Sequence, residues 1–345
     1  MLWRTVSTQL DALAPALGIP MEPSRTLVRV LACEALRGPF YDGSRRLSAI
    51  NGDGVPFQWS VSIGSRSGGL RFVADCAVPG TSISTRIRHT RAALAYLGAT
   101  LPFGAALPAV DRALTCLLPG ADLLDASLMG LCLAVEVARD GRVGLKVYVN
   151  GEVGDVAARY YRLADCLAAL ERWTALRRLG DVVRAVGTRV TPAFVALDVH
   201  PTGIGRVKLY MRPHDGTPAL QFAAAEAAGC RDVASRLAVL HQVLLEGAAY
   251  PPQAVDFSVE FPADDGEVGF KVDLNTGVFL SSDAEVDRRV QRLCGALGVD
   301  GTEYEVVRDI VVGQPSRVRV AHLPFVGLAV RRDEQQLNVY FHPNP

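Results

Sequence analysis

The sequence predicts an α/β protein in which a ten-stranded antiparallel β-barrel with a central chamber is surrounded by a ring of helices. Turn signals and alternating apolar residues mark five hairpins, separated by helical pairs, in a repeat of roughly 50 to 60 residues. Because hairpins are antiparallel and their connections are helical, closure into one barrel is the economical arrangement, and it leaves no exposed strand edge. Ten strands enclose more space than side chains alone fill, so we expect a chamber of ligand size.

Length and composition fit one domain over residues 1–345, with residues 1–45 as an N-terminal helical segment that packs on the barrel. The hydrophobic content of 49% supports a sizeable core. Lys plus Arg and Asp plus Glu balance at 36 each, so the net charge attracts neither nucleic acid nor an anionic membrane surface. The sequence shows no signal-peptide pattern and no apolar run near ~18 residues, which predicts a cytoplasmic protein without membrane contact.

The elements follow from local patterns. Two helices occupy the first 37 residues, because Leu10, Leu13 and Leu17 share one face and residues 18–20 interrupt the period. A turn at residues 51–56 precedes the first hairpin. The paired strands are expected at 57–63 with 70–76 around a loop at 65–69, 128–138 with 143–150, 194–200 with 206–212, 255–261 with 268–274, and 317–331 with 336–342. Helical segments are expected at 84–97, 106–117, 155–173, onward to 186, 219–228, 232–245, 283–297 and 303–309.

One strand carries the clearest functional pattern. In residues 206–210 two cations and a tyrosine alternate with Val207 and Leu209, which places the polar side chains on one face. An ordinary solvent-facing strand looks the same, but the phase recurs in three other strands, and this favours a shared site. The side chains assigned to the barrel interior by this phase are Gln58, Ser60, Arg71, Asp75, Lys146, Tyr148, Asp198, Arg206, Lys208, Tyr210, Asp256, Lys271, Asp273, Asn338 and Tyr340.

Clustered interior cations require negative partners, because unpaired buried charge is costly. Interior carboxylates meet that need in a structural barrel, and a phosphate-bearing ligand meets it in a functional one. The interior tyrosines serve either as polar core groups or as a screen for a carbocation, since ring faces attract positive charge by about 0.5–2 kcal/mol.

Several segments together resemble the aromatic prenyltransferases of the ABBA barrel type, closest to the bacterial indole branch of the dimethylallyltryptophan synthases. The resemblance runs from about residue 45 onward. Besides the five-hairpin plan, it rests on the segment 53–60 (DGVPFQWS), on Asp198 with residues 206–210 (RVKLY), and on residues 325–327 (FVG) with 337–341 (LNVYF).

The resemblance implies an enzyme that ionises an allylic diphosphate, with a dimethylallyl or geranyl chain, and lets an electron-rich aromatic ring capture the cation. Its partners are then two small molecules, the diphosphate and the aromatic acceptor, and the protein is a monomer or homodimer. The positions that match the diphosphate-binding residues are Arg71, Lys146, Arg206, Lys208 and Lys271, and those that match the tyrosine shield are Tyr148, Tyr210 and Tyr340.

Metal ligation is not expected in this chain. The seven cysteines are scattered without C-x-x-C spacing, which predicts buried thiols rather than a disulfide framework or a zinc site. No D-D-x-x-D stretch is present, since Asp264 and Asp265 fall in a hairpin loop and Asp122 and Asp125 lack the spacing. We therefore expect no obligatory metal, with Mg²⁺ at most stimulatory.

One residue departs from the family pattern. Tryptophan-prenylating members carry Glu where this chain has Gln58, and an amide accepts a hydrogen bond but is a far weaker base. Either the acceptor is not an indole, or water, diphosphate or a carboxylate such as Asp75 or Asp256 removes the final proton. Gln58, Asp75 and Asp256 are the candidate catalytic residues, and an indole derivative, carbazole, phenazine or phenol remains open as acceptor.

Two alternatives to the enzyme use the same residues. A non-catalytic barrel would bind a phosphorylated or lipophilic metabolite with the same cations. A purely structural barrel would pair those cations internally with Asp75, Asp198, Asp256 and Asp273.

Overall fold

The fold is described from a computed structural model of the 345-residue chain. The structure describes residues 2–37, 41–42, 45–46, 48, 50, 54–64, 69–78, 81–118, 130–150, 152–215, 218–230, 233–249, 251, 253–263, 266–331 and 334–343. The expected turn residues 51–53, the loop residues 65–68, the strand start at 128–129 and the acidic residues at 122, 125, 264 and 265 lie outside this part of the chain.

Ten strands form the closed antiparallel barrel that the sequence predicts. The strands are β3 (Phe57–Ile63), β4 (Gly69–Ala74), β5 (Leu131–Ala138), β6 (Val143–Asn150), β7 (Val190–His200), β8 (Gly203–Pro213), β9 (Val255–Pro262), β10 (Gly269–Asn275), β11 (Phe325–Arg331) and β12 (Glu334–Phe341). They follow in chain order around the wall, and β12 pairs with β3 to close it. A two-stranded ribbon, β1 (Tyr41–Asp42) with β2 (Arg45–Arg46), precedes the barrel.

Helices cover the outside of the barrel. They are α1 (Leu2–Leu17), α2 (Met21–Arg37), α3 (Ile83–Thr100), α4 (Leu107–Leu117), α5 (Val156–Ala169), α6 (Trp173–Val186), α7 (Pro218–Ala228), α8 (Val233–Leu244), α9 (Asp283–Leu297) and α10 (Thr302–Val311). Side chains of Ser82, Asp155 and Ser282 cap α3, α5 and α9 by accepting a backbone N–H in the first turn.

The apolar core lies between the strands and the helices. On β3 and β4 the outward rings of Phe57, Trp59 and Phe72 pack together, with the Phe57 and Phe72 centroids 5.4 Å apart. The indole N–H of Trp59 donates to Gln9 of α1 at 3.0 Å, which satisfies a buried polar group and fixes the N-terminal helices on the barrel. Since the outer faces of the strands form the core, their polar inner faces define the chamber.

The last hairpin differs from the prediction. Its first strand begins at Phe325, so the expected start at residue 317 is wrong. The carboxylate of Asp283, at the start of α9, accepts the backbone N–H groups of Ala321, His322 and Leu323 at 3.0–3.1 Å. Those N–H groups are therefore unavailable for a strand ladder.

In the described residues, none of the helices has the length and apolar character needed to cross a membrane.

Candidate active site

Two adjoining cavities occupy the barrel interior. The first, which we call the cation cavity, has a volume of about 410 Å³. The second, the tyrosine cavity, has a volume of about 230 Å³. Arg71 and Tyr210 line both, so the two spaces meet at these side chains. The cation cavity contains the five predicted diphosphate-binding residues Arg71, Lys146, Arg206, Lys208 and Lys271, and the tyrosine cavity contains the three predicted shield residues Tyr148, Tyr210 and Tyr340.

The first carboxylate that binds cations of this cavity is Asp198 on β7, which lies beside the cavity. Its oxygens lie 2.6 Å from Arg206, 3.5 Å from Lys146 and 3.9 Å from Lys208. The register of β6, β7 and β8 sets Lys146 and Arg206 on either side of it. Burial works to raise the pKa of Asp198, but the three cations outweigh it and lower that pKa.

The second such carboxylate is Glu260 on β9. Its carboxylate is 2.5 Å from Lys208, 3.1 Å from Arg206 and 3.0 Å from Arg331, and the residue is only 1% exposed. Burial works to raise the pKa of Glu260, yet the attraction of these cations lowers it well below its ordinary value. Gly269 of the neighbouring strand makes room, since a Cβ there would stand 2.8 Å from a Glu260 oxygen.

Arg71 holds the β3–β12 side of the cation cavity. Its guanidinium donates to the side-chain oxygen of Asn338 at 2.7 Å and to the hydroxyl of Ser62. Its buried Nε has no hydrogen-bond partner within the described structure. An anion in the cavity would satisfy that donor.

The surroundings of Lys146 disfavour its charged form. Burial lowers its pKa to about 7, and the nearby cations act in the same direction against the pull of Asp198. Burial also lowers the pKa of Lys208, although Asp198 and Glu260 oppose the shift. A bound anion would stabilise the charged form of both lysines.

The cation cavity keeps a positive excess after these pairings. Seven Lys and Arg side chains and three Glu side chains line it among the described residues. Asp198, Asp273 and Asp140 each pair with at least one of those cations and add three more carboxylates. Seven cations against six carboxylates leave a formal excess of one positive charge. Internal pairing, as in the structural-barrel alternative, is present but does not neutralise the cavity.

Aromatic rings dominate the tyrosine cavity. The rings of Tyr148 and Tyr210 lie 6.2 Å apart at 47°, and Tyr340 meets Phe325 edge-on at 6.2 Å. Burial raises the pKa of each of the three tyrosines, so all are phenols at neutral pH. The ammonium of Lys271 lies 5.0 Å from the Tyr340 ring centre and contacts its hydroxyl. The site can therefore hold positive charge near ring faces.

The three candidate catalytic residues do not all lie in one place. Gln58 and Asp256 line the tyrosine cavity. Burial raises the pKa of Asp256, while Arg212 binds both of its oxygens at 3.0 and 3.3 Å. Asp75 follows the end of β4, where the strand phase no longer applies. Its carboxylate is an ion-pair partner of Arg86 on α3 and accepts from Ser48, so it does not line either cavity.

Several site residues escaped the sequence analysis. Glu260 is four residues after Asp256, and Arg212 is two residues after Tyr210. The period-two alternation of a strand therefore places both side chains on the inner face. Arg331 is the last residue of β11, where the predicted strand also ends, but it was not assigned to the interior. Glu136 pairs in register with Arg71 and was hidden by the apolar run around it. Among the described residues, no three His, Cys, Asp or Glu side chains converge as metal ligands.

The chain is similar in fold to solved structures over nearly its full length. One is 6-dimethylallyltryptophan synthase from Micromonospora olivasterospora in complex with DMASPP and Trp, with 20% identity, a TM-score of 0.83 and coverage of 98% of this chain and 96% of that chain. Another is 5-dimethylallyl tryptophan synthase from Streptomyces coelicolor, in complex with the same two ligands, with 18% identity, a TM-score of 0.83 and coverage of 100% and 95%. AnaPT from Neosartorya fischeri has 15% identity, a TM-score of 0.76 and coverage of 97% and 91%.

These likenesses confirm the predicted fold, which is the ten-stranded barrel of the ABBA prenyltransferases. No protein-family model and no curated protein matches the sequence. At identities of 15–20% the shared feature is the architecture, and the activity depends on the side chains that this chain places in its barrel.

Proposed function

We propose that the chain is an aromatic prenyltransferase, which transfers a dimethylallyl or geranyl group from an allylic diphosphate to an electron-rich aromatic acceptor. The observation that carries the proposal is the contact, inside one closed barrel, between a cavity with excess positive charge and a cavity lined by three tyrosine rings. The solved structures of similar fold that hold DMASPP and Trp support an allylic diphosphate and an indole-type ring as the substrate classes.

The chemistry follows from the two environments. Cations fixed around the diphosphate stabilise the negative charge that develops as the C–O bond to the prenyl group breaks. The tyrosine ring faces stabilise the resulting allyl cation, and the barrel wall keeps water from it. The acceptor ring then supplies an electron pair to form the new carbon–carbon bond, and loss of a ring proton restores aromaticity.

We propose further that this reaction needs no metal ion. In many diphosphate enzymes a divalent cation neutralises the leaving group. Here Lys and Arg side chains line that space, and Asp198 and Glu260 already bind three cations each. Those carboxylates are therefore poor metal ligands in this arrangement. Mg²⁺ would at most assist the binding of the diphosphate.

A matrix assay tests the proposal. Purified protein in EDTA is given dimethylallyl or geranyl diphosphate with a panel of L-tryptophan, simple indoles, carbazoles, phenazines and phenols, and products are read by mass. We expect a prenyl mass shift with at least one pair. We expect Lys208→Met to abolish it and Arg288→Ala, an exposed cation on α9, to retain it.

Two outcomes contradict the proposal. Thermal stabilisation by the diphosphates without turnover of any pair would indicate a metabolite-binding barrel. Neither turnover nor stabilisation would leave only a structural role for the interior charges.

A further inference from the structure

The tyrosine cavity contains two carboxylates that face each other. Asp256 of β9 and Asp273 of β10 are direct partners in the strand register, and both line this cavity. Gln58 lines the same space, but its neutral amide cannot hold a proton at ordinary pH. If a side chain of this cavity removes the ring proton after prenyl transfer, the described lining residues therefore offer two carboxylates for the task.

The two carboxylates differ in how they are held. Arg212 donates to both oxygens of Asp256, at 3.0 and 3.3 Å, and it also donates to Glu152 at 2.8 Å. Protonation of Asp256 would disrupt this bidentate pair. Burial raises the pKa of Asp256, which taken alone favours it as a base, but both of its oxygens already accept hydrogen bonds from the Arg212 guanidinium, which opposes protonation.

Asp273 is held by groups that belong to the reaction site. One oxygen lies 2.6 Å from the ammonium of Lys271, and the carboxylate also interacts with the Tyr340 hydroxyl. Lys271 lines the cation cavity whereas Asp273 lines the tyrosine cavity. This ion pair therefore lies at the border where the diphosphate departs and the prenyl cation meets the ring.

The neighbouring strand is shaped to admit this carboxylate. Gly327 of β11 pairs in register with Asp273, and a Cβ at Gly327 would come within 2.1 Å of an Asp273 oxygen. Any side chain at that position would push the carboxylate away. The space beside Asp273 thus depends on the glycine.

We propose that Asp273 is the catalytic base that takes the ring proton; this inference rests on the proposed prenyl transfer. The ring π pair forms the carbon–carbon bond, and the diphosphate leaves with the C–O pair. The ring C–H bond then breaks, its electrons restore aromaticity, and the proton moves to the Asp273 carboxylate. The acid returns the proton to water or to the leaving diphosphate as products depart.

The test separates ionisation of the diphosphate from loss of the ring proton. Wild type and Asp273→Asn are assayed with dimethylallyl diphosphate and with L-tryptophan, indole or carbazole, whichever the wild type prenylates, in unlabelled and ring-deuterated form. Consumption of diphosphate, prenyl alcohol and prenylated product are measured together. We expect product formation by Asp273→Asn to fall about 10²-fold or more, because positioned bases contribute on the order of 10² to 10⁴.

Three signatures are specific to a base. In Asp273→Asn the deuterium isotope effect on product formation rises, because proton loss becomes slow. The ratio of prenyl alcohol to product also rises, because an adduct that cannot lose its proton reverts to the cation. Added formate restores product formation in Asp273→Ala, and Gly327→Ala, which keeps the carboxylate but displaces it, shows a weaker form of the same signatures.

Each other outcome overturns the inference. The inference is wrong if Asp273→Asn forms product within about threefold of the wild-type rate and shows an unchanged isotope effect, because loss of a base lowers the rate far more than that. An equal fall in diphosphate consumption and in product formation would show that Asp273 acts in binding or ionisation of the diphosphate, before the ring proton is lost. The signatures in Asp256→Asn instead would assign the base to Asp256. A wild type that prenylates nothing in the full matrix of diphosphates and acceptors refutes the proposed function itself.

Discussion

Removing the charge of Glu260 should destabilise the empty protein and tighten its binding of diphosphate. Glu260→Gln keeps the shape of the side chain but leaves Lys208, Arg206 and Arg331 without the carboxylate that lies 2.5–3.1 Å from them. Breaking a buried ion pair by removing one partner costs about 3–5 kcal/mol. With 345 residues and about 2.1 cal/mol/K of unfolding entropy per residue, this corresponds to a fall in Tm of roughly 4–7 °C.

Inorganic diphosphate should reverse the effect. In the wild type the ligand competes with Glu260 for the three cations. In Glu260→Gln that competing carboxylate is gone, and only Asp198 still pairs with Arg206 and Lys208. A ligand at about 100 times its Kd stabilises a protein by about 2.7 kcal/mol, and tighter binding in the variant increases that gain. The rise in Tm on adding diphosphate should therefore be larger for Glu260→Gln than for wild type.

Differential scanning fluorimetry with and without inorganic diphosphate measures both quantities. Glu22→Gln is the matched control, because Glu22 is an exposed partner of Arg25 and such pairs contribute about 0–1 kcal/mol. The prediction is wrong if Glu260→Gln and the wild type have the same Tm in the absence of ligand. It also fails if diphosphate raises the Tm of both proteins equally.

Three further predictions follow from the described contacts. Binding of the thiolodiphosphate DMASPP should weaken as pH rises through about 7, because the charged form of Lys146 is lost there. Calorimetry at pH 8 should show that binding takes up protons in the wild type but not in Lys146→Met, and equal uptake in both proteins would refute the role of Lys146. Asp283→Ala should lower the free energy of unfolding by about 2–4 kcal/mol, since one buried and two partly buried backbone donors lose their acceptor. Chemical denaturation, with the exposed-site variant Asp140→Asn as control, measures the loss, and a loss below about 1 kcal/mol contradicts the prediction. Tyr148→Leu should raise the ratio of prenyl alcohol to prenylated product, because removal of a ring face that contributes about 0.5–2 kcal/mol exposes the cation to capture by water. Gas chromatography measures this ratio, and a value equal to that of the wild type contradicts the role of Tyr148 in the tyrosine shield.

The period-two pattern allowed much of the site to be predicted from sequence. A strand side chain alternates faces by geometry alone, so the phase of Lys208 also fixes the direction of Arg206 and Tyr210. The same phase placed cations from β4, β6 and β10 in one cavity, because a closed barrel turns every inner face toward a common axis. Recurrence of the pattern across strands was therefore more informative than any single motif.

Other features depend on contacts that have no local sequence signature. Asp75 shares the phase of Arg71 but lies beyond the end of β4, and its partner Arg86 belongs to a helix that follows in the chain. The capture of three N–H groups by Asp283 shortens β11 through residues about 40 positions away. Which carboxylate pairs with which cation likewise depends on strand register, which propensity and periodicity leave open.

Burial of the chamber also determines the reactivity of its own walls. Under the proposed reaction, the tyrosine cavity produces an electrophile beside three phenols and the thiol of Cys132. Phenolates and thiolates would be alkylated readily, but burial raises the pKa of Cys132 and of each tyrosine and keeps all four groups neutral. The desolvation that lets these rings stabilise a carbocation thus also protects the protein from prenylating itself.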